Sequence, residues 1–95
     1  MRRVGQARRR DTGERAIISA LEAVGIVVFP ISGAGCPDLL LYCPQTRVWL
    51  PVEVKGPQGR LTAAQCQQRA LAPYPVVRSV GDALTLVGVV GVKKW

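Results

Sequence analysis

Histidine is absent from the 95 residues. That absence removes every mechanism built on imidazole: His-assisted nucleophiles, His-metal nucleases and His-ligated zinc. Cysteine is scarce, and Cys36, Cys43 and Cys66 are odd in number and form no C-x-x-C pair. Neither a disulfide framework nor a structural zinc site is expected, and a reducing, cytoplasmic compartment fits best. No apolar run approaches the ~18–20 residues needed to span a bilayer, so no membrane partner is expected. The arginine-rich start leads into a charged segment and not into the apolar core of a signal peptide, so the chain reads as soluble and unprocessed. At this length one small core is the ceiling, which excludes a two-domain enzyme.

Acidic residues are also few, 6 against 13 Lys and Arg, and the net charge is +7. Such a balance favours a polyanionic partner, nucleic acid first. Ten of the 13 cations are Arg, whose planar fork suits phosphate oxygens, and Arg2, Arg3, Arg8, Arg9, Arg10 and Arg15 crowd the first fifteen residues. Residues 1–10 lack apolar periodicity and read as a flexible basic arm; residues 11–95 read as a single domain. The competing reading of the arm is a solubilising tail.

Asp11 with Glu14 matches a capping box, and Ile17, Leu21 and Val24 recur at helical spacing until Gly25 supplies a stop. Ile26 to Phe29 predicts a strand closed by Pro30, followed by the glycine-rich loop Ile31 to Pro37. Asp38 to Cys43 and Arg47 to Lys55 predict a hairpin turning at residues 44–46. Pro51 cannot donate to a ladder, so the third strand should be at an edge or bulged there. Thr62 with Gln65 is a second capping box, opening a helix that Pro73 and Pro75 end. Val76 to Arg78 predicts a fourth strand and Ser79 with Asp82 a cap, while the apolar tail to Val92 is open to helix or strand. The fold class expected is α/β, with a mixed sheet of about four strands flanked by helices.

The few acids are informatively placed. A period of two puts Glu53 and Lys55 on the same side of the third strand. Asp38 opens the preceding hairpin strand directly after a loop whose small residues let a phosphate or metal approach the backbone. Asp38 and Glu53 should converge, and two carboxylates held together with no His or Cys beside them suit magnesium or manganese. Glu14 shares the apolar stripe of Ile17, Ile18 and Leu21, where an unpaired carboxylate is costly. Capping the first helical turn would also account for Glu14. A plain helix cap would account for Gln65, and a solvated salt pair for Glu53 and Lys55.

Glu14, the run Ser32-Gly33-Ala34-Gly35-Cys36-Pro37-Asp38, Glu53-Val54-Lys55 and Leu61-Thr62-Ala63-Ala64-Gln65 resemble, in order and spacing, the PD-(D/E)xK nuclease superfamily and most closely its VRR-NUC branch. The resemblance spans roughly residues 11 to 85. It implies a restriction-endonuclease-like core and hydrolysis of DNA with Mg2+ or Mn2+. Asp38, Glu53 and the Val54 carbonyl would be metal ligands, Lys55 would act on the attacking water, and Glu14 and Gln65 would support the site. Ser32 keeps a similarity to archaeal Holliday-junction resolvases open, and a phage-encoded setting fits the same likeness. Pro51 departs from the pattern, standing where relatives place an apolar residue two positions before the motif glutamate.

Arg8, Arg9, Arg10, Arg15, Ser32, Gly33, Gly35 and Arg60 are the candidates for contacting nucleic acid. No base-reading module is visible, so a structure- or junction-selective endonuclease is expected over a sequence-specific one. A homodimer would enlarge so small a DNA-binding surface. The alternatives are a non-catalytic nucleic-acid-binding protein with the same fold, or a structural subunit using the apolar stretch Leu84 to Val92 as an interface.

Overall fold

The computed structural model describes residues 12–33 and 35–90. The basic arm, Asp11 and the last five residues lie outside them. Among the described residues three helices and four strands follow in the order α1 (Thr12–Ala23), β1 (Val27–Pro30), β2 (Leu39–Cys43), β3 (Val48–Val54), α2 (Ala63–Leu71), β4 (Val76–Val77) and α3 (Val80–Val90).

The first helix stops where a glycine permits it. Gly25 takes φ 91°, its N–H donates to the Glu22 carbonyl at 3.0 Å, and the Ile26 N–H reaches the Leu21 carbonyl at 3.1 Å. These are the two bonds of a Schellman motif, and its usual apolar contact is present because Leu21 and Ile26 share the core. The chain leaves directly into β1.

The sheet is mixed, in the order β1-β2-β3-β4. β1 pairs antiparallel with β2, and β2 antiparallel with β3 across a turn in which Arg47 adopts φ 61°. β4 is short and pairs parallel with β3, Glu53 opposite Val76 and Val54 opposite Val77. Pro51 pairs with Leu40 of β2. The N–H groups of Glu53 and Lys55 point to the β4 side, and so would that of residue 51, two positions earlier, where β4 does not reach. The proline therefore removes no ladder bond.

The pleat divides the sheet into two unlike faces. Leu39, Leu41, Cys43 and Val52 face α1 and α3, forming one core with Ile17, Leu21, Ala83 and Val87. The other face carries Val27, Phe29, Tyr42, Trp49 and Glu53, and α2 covers only its β4 end through Gln65. The apolar tail resolves as helix to Val90, with Ala83 and Val87 buried one turn apart. Its start is capped as expected, the Asp82 N–H donating to Ser79 Oγ at 3.0 Å. No helix among the described residues is long and apolar enough to cross a membrane. Cys36, Cys43 and Cys66 are free thiols.

Candidate active site

The hairpin register brings Asp38 and Glu53 together. Leu39 is the first residue of β2 and pairs with Val52, so Asp38 lies just before β2 and Glu53 just past its partner. At that point β3 exchanges β2 for β4: the Glu53 N–H donates to the Pro75 carbonyl at 3.0 Å and that of Lys55 to the Val77 carbonyl at 3.1 Å. The Val54 N–H points the other way, where β2 has ended. Asp38 Oδ2 accepts it at 2.9 Å. N–H and C=O of one strand residue point to the same edge, so the Val54 carbonyl faces the Asp38 side as well. Both carboxylates sit where β3 exchanges one neighbour for the other.

Glu53 is 1% exposed and Asp38 8%. Glu53 Oε2 accepts from Gln65 Nε2 at 2.7 Å and lies 3.5 Å from Lys55 Nζ. Its Oε1 is buried and has no hydrogen-bond donor. Burial, followed by the negative Asp38 beside it, pushes the Glu53 carboxyl up to about 7, against a smaller opposing pull from Lys55. A buried acceptor without a donor is costly unless a proton or a cation supplies the missing charge.

Gln65 performs two tasks at once. Its Oε1 accepts the Thr62 N–H at 2.9 Å while its own N–H donates to Thr62 Oγ1 at 3.1 Å, completing the capping box. That leaves the amide nitrogen for Glu53. The helix cap thus clamps one oxygen of the buried carboxylate, while a side-chain hydrogen bond with Asp38 adds to the upward shift of its pKa.

Glu14 is buried in the first turn of α1, 6% exposed. It lines a cavity of about 160 Å³ with Ile17, Val54, Lys55, Gly56 and Arg78. Lys55 follows the last residue of β3, so it borders this cavity while its ammonium reaches Glu53 Oε2 at 3.5 Å. Among the described residues no three His, Cys, Asp or Glu side chains form a group that could hold a metal ion. Asp38 and Glu53 thus meet at one point, and Glu14 lines a cavity with the same Lys55 whose ammonium lies 3.5 Å from Glu53 Oε2.

The glycine-rich loop divides in its roles. It is closed by the Ile31 N–H donating to the Asp38 carbonyl at 2.8 Å, and Ser32 and Gly33 are exposed. Gly35 is instead buried against α2 at φ 81°, where a Cβ would meet Gln68 Cγ at 3.0 Å and the Ala64 carbonyl at 3.4 Å. Its absent side chain serves packing against α2. Arg15 and Arg60 are exposed; Arg8, Arg9 and Arg10 lie outside the described residues.

Sequence reasoning missed two residues here. Arg78 Nη1 donates to the carbonyls of Gly56 and Gly59 at 2.7 and 2.8 Å, holding the turn that follows Lys55. Tyr74 is buried, its hydroxyl has no partner, and burial and then the charge of Glu53 raise its pKa. An aromatic held between two prolines was the available signal for it. Compared with known proteins, the chain matches no family model, no curated protein and no solved structure.

Proposed function

We propose that this chain is a divalent-metal-dependent DNA endonuclease of the PD-(D/E)xK superfamily, nearest the VRR-NUC branch, with a restriction-endonuclease-like core. The observation that carries this reading is the buried Asp38 and Glu53 pair, in which Glu53 Oε1 lacks a donor while Lys55 stands 3.5 Å from the other oxygen. The donor set suits Mg2+ or Mn2+: two carboxylates and the Val54 carbonyl are hard oxygen ligands, and magnesium keeps several waters of its own. A divalent ion supplies charge neutralisation at a phosphodiester oxygen and acidifies water.

The chain's own residues do the positioning. Gln65 fixes the Glu53 carboxylate in rotation, and the Val54 N–H does the same for Asp38. Lys55 holds its ammonium 3.5 Å from Glu53 Oε2, where it orients the attacking water and offsets charge growing on the phosphate. Arg78 holds the turn behind Lys55, and Glu14 supplies a second buried carboxylate near that lysine. Affinity comes from arginines spread over the chain, so selectivity follows DNA structure more than sequence. Incubation of plasmid and branched DNA with the protein, with magnesium and with EDTA, tests this: metal-dependent cleavage lost in Glu53→Gln is expected, and full activity of that variant would move the site elsewhere. A second reading is a nucleic-acid-binding protein of the same fold without catalysis, in which Lys55 and Gln65 only neutralise and clamp the buried Glu53. No cleavage of either substrate in magnesium or manganese would select it.

A further inference from the structure

The chain has five aromatic residues, and three of them, Phe29, Tyr42 and Trp49, gather on the open face of the sheet. Each comes from a different strand. The Phe29 and Trp49 rings are stacked with centroids 5.9 Å apart and planes at 27°, and Tyr42 tilts against Trp49 at 4.6 Å. They do not serve the core, which is aliphatic. Trp49 is 54% exposed and Phe29 44%, and Val27 beside them is exposed as well. A contiguous exposed apolar patch of this kind marks a contact surface.

Charge decides the occupant. The exposed carboxylates among the described residues, Glu22 and Asp82, ride on α1 and α3 behind the other face. The acids of the open face are Asp38 and Glu53, both buried in the candidate site. On a chain of net charge +7, an aromatic face without exposed negative charge disfavours a second copy of the same cation and suits a polyanion carrying flat rings. We infer that this face is a stacking platform for unpaired bases of a nucleic-acid strand. Base-on-aromatic stacking needs only exposed ring faces and is tolerant of sequence. The platform continues into the site, since Trp49 and Glu53 share one face of β3. Four residues of strand span roughly 13 Å, on the order of two to four nucleotides. The inference rests on reading the Asp38 and Glu53 site as acting on nucleic acid, and it narrows the substrate to one with unpaired nucleotides beside the scissile bond.

Fluorescence tests it without catalysis. In a Trp95→Phe protein all tryptophan emission comes from Trp49. With EDTA present, an oligothymidylate should quench that emission, and an abasic oligomer of equal length, with the same phosphates and no bases, should not. Anisotropy with labelled strands should show the oligothymidylate bound about tenfold or more tighter than the abasic strand. Phe29→Ala and Trp49→Leu, the latter keeping an apolar strand residue without the ring, should each lose most of that preference while binding the abasic strand like the parent. Equal binding of both strands without quenching overturns the platform. So does a sedimentation result in which the protein is a dimer that Trp49→Leu dissociates and DNA leaves intact. Base-dependent quenching without cleavage in magnesium would sink the nuclease reading alone, and cleavage without base-dependent binding the platform alone.

Discussion

The two faces of the sheet answer to different demands. The face under α1 and α3 is closed, aliphatic and free of buried charge apart from Glu14 at its edge; Leu21 and Leu39 are fully buried there. The opposite face is half open and holds the Asp38 and Glu53 pair under α2, with the aromatic cluster beyond it. The apolar core and the buried acid pair are thus separated by a single layer of backbone, because successive side chains of a strand point to opposite faces. A fold this small can hold three buried carboxylates, Glu14, Asp38 and Glu53, because the closed face supplies the apolar burial that offsets their cost.

That separation can be broken from either side. The largest effect is expected on the polar face: Asp38→Asn, Glu53→Gln and Lys55→Ala should each lower cleavage by roughly a hundredfold or more, because groups preorganised for transition-state charge carry such factors. Circular dichroism and DNA binding should stay near parental. A variant of the three that keeps parental turnover would remove its residue from the site. The converse is expected on the closed face, where Leu21→Ala leaves a cavity in the core and should cost about 2–5 kcal/mol. Denaturant melts would report it, and a loss below about 1 kcal/mol would mean the two faces are not divided as described.

The pH dependence sharpens the contrast. The Glu53 carboxyl is raised from 4.5 to about 7 in the folded protein, so the native state holds its proton more tightly than the unfolded chain does. Its contribution is complete below about pH 4.5 and is lost as pH rises through 7. In EDTA the melting temperature should therefore fall between pH 5 and 8, and Glu53→Gln should flatten that fall and melt higher than the parent at pH 8. Magnesium should raise the melting point of the parent at pH 8, manganese at lower concentration, and neither should move Glu53→Gln. A parent whose stability is level across this range would show that Glu53 titrates normally. The smallest effect is expected from Tyr74→Phe. It deletes a buried hydroxyl without a partner and should stabilise the metal-free protein by about 1 kcal/mol; a clear loss in thermal melts would mean the hydroxyl is engaged.

How much was legible depended on range along the chain. The Gly25 stop and the Thr62 and Gln65 capping box involve residues three to five apart, and both are present. The meeting of Asp38 with Glu53 was also legible, because one hairpin turn sets the register between its strands. Glu14 was harder. A helical wheel shows that it is buried but not on which side of the sheet its helix lies, nor that it would border one cavity with Val54 and Lys55. Gly35 looked like a phosphate loop because its freedom at positive φ was readable, whereas its contact with α2, some thirty residues on, was not. The helix to Val90 was ambiguous for a related reason: an apolar run with glycines suits helix or strand until a neighbour such as α1 selects one.

By itself the sequence determined the elements up to the fourth strand, the turns between them and the pairing of Asp38 with Glu53, since local sterics, capping and strand alternation act within a few residues. Only the tertiary structure decided that β4 joins β3 in parallel and that α2 covers half of one face. The same packing left Phe29, Tyr42 and Trp49 in the open. These outcomes depend on which surfaces bury one another across long stretches of chain, and burial is non-directional: it rewards apolar area removed from water without specifying in advance which helix removes it.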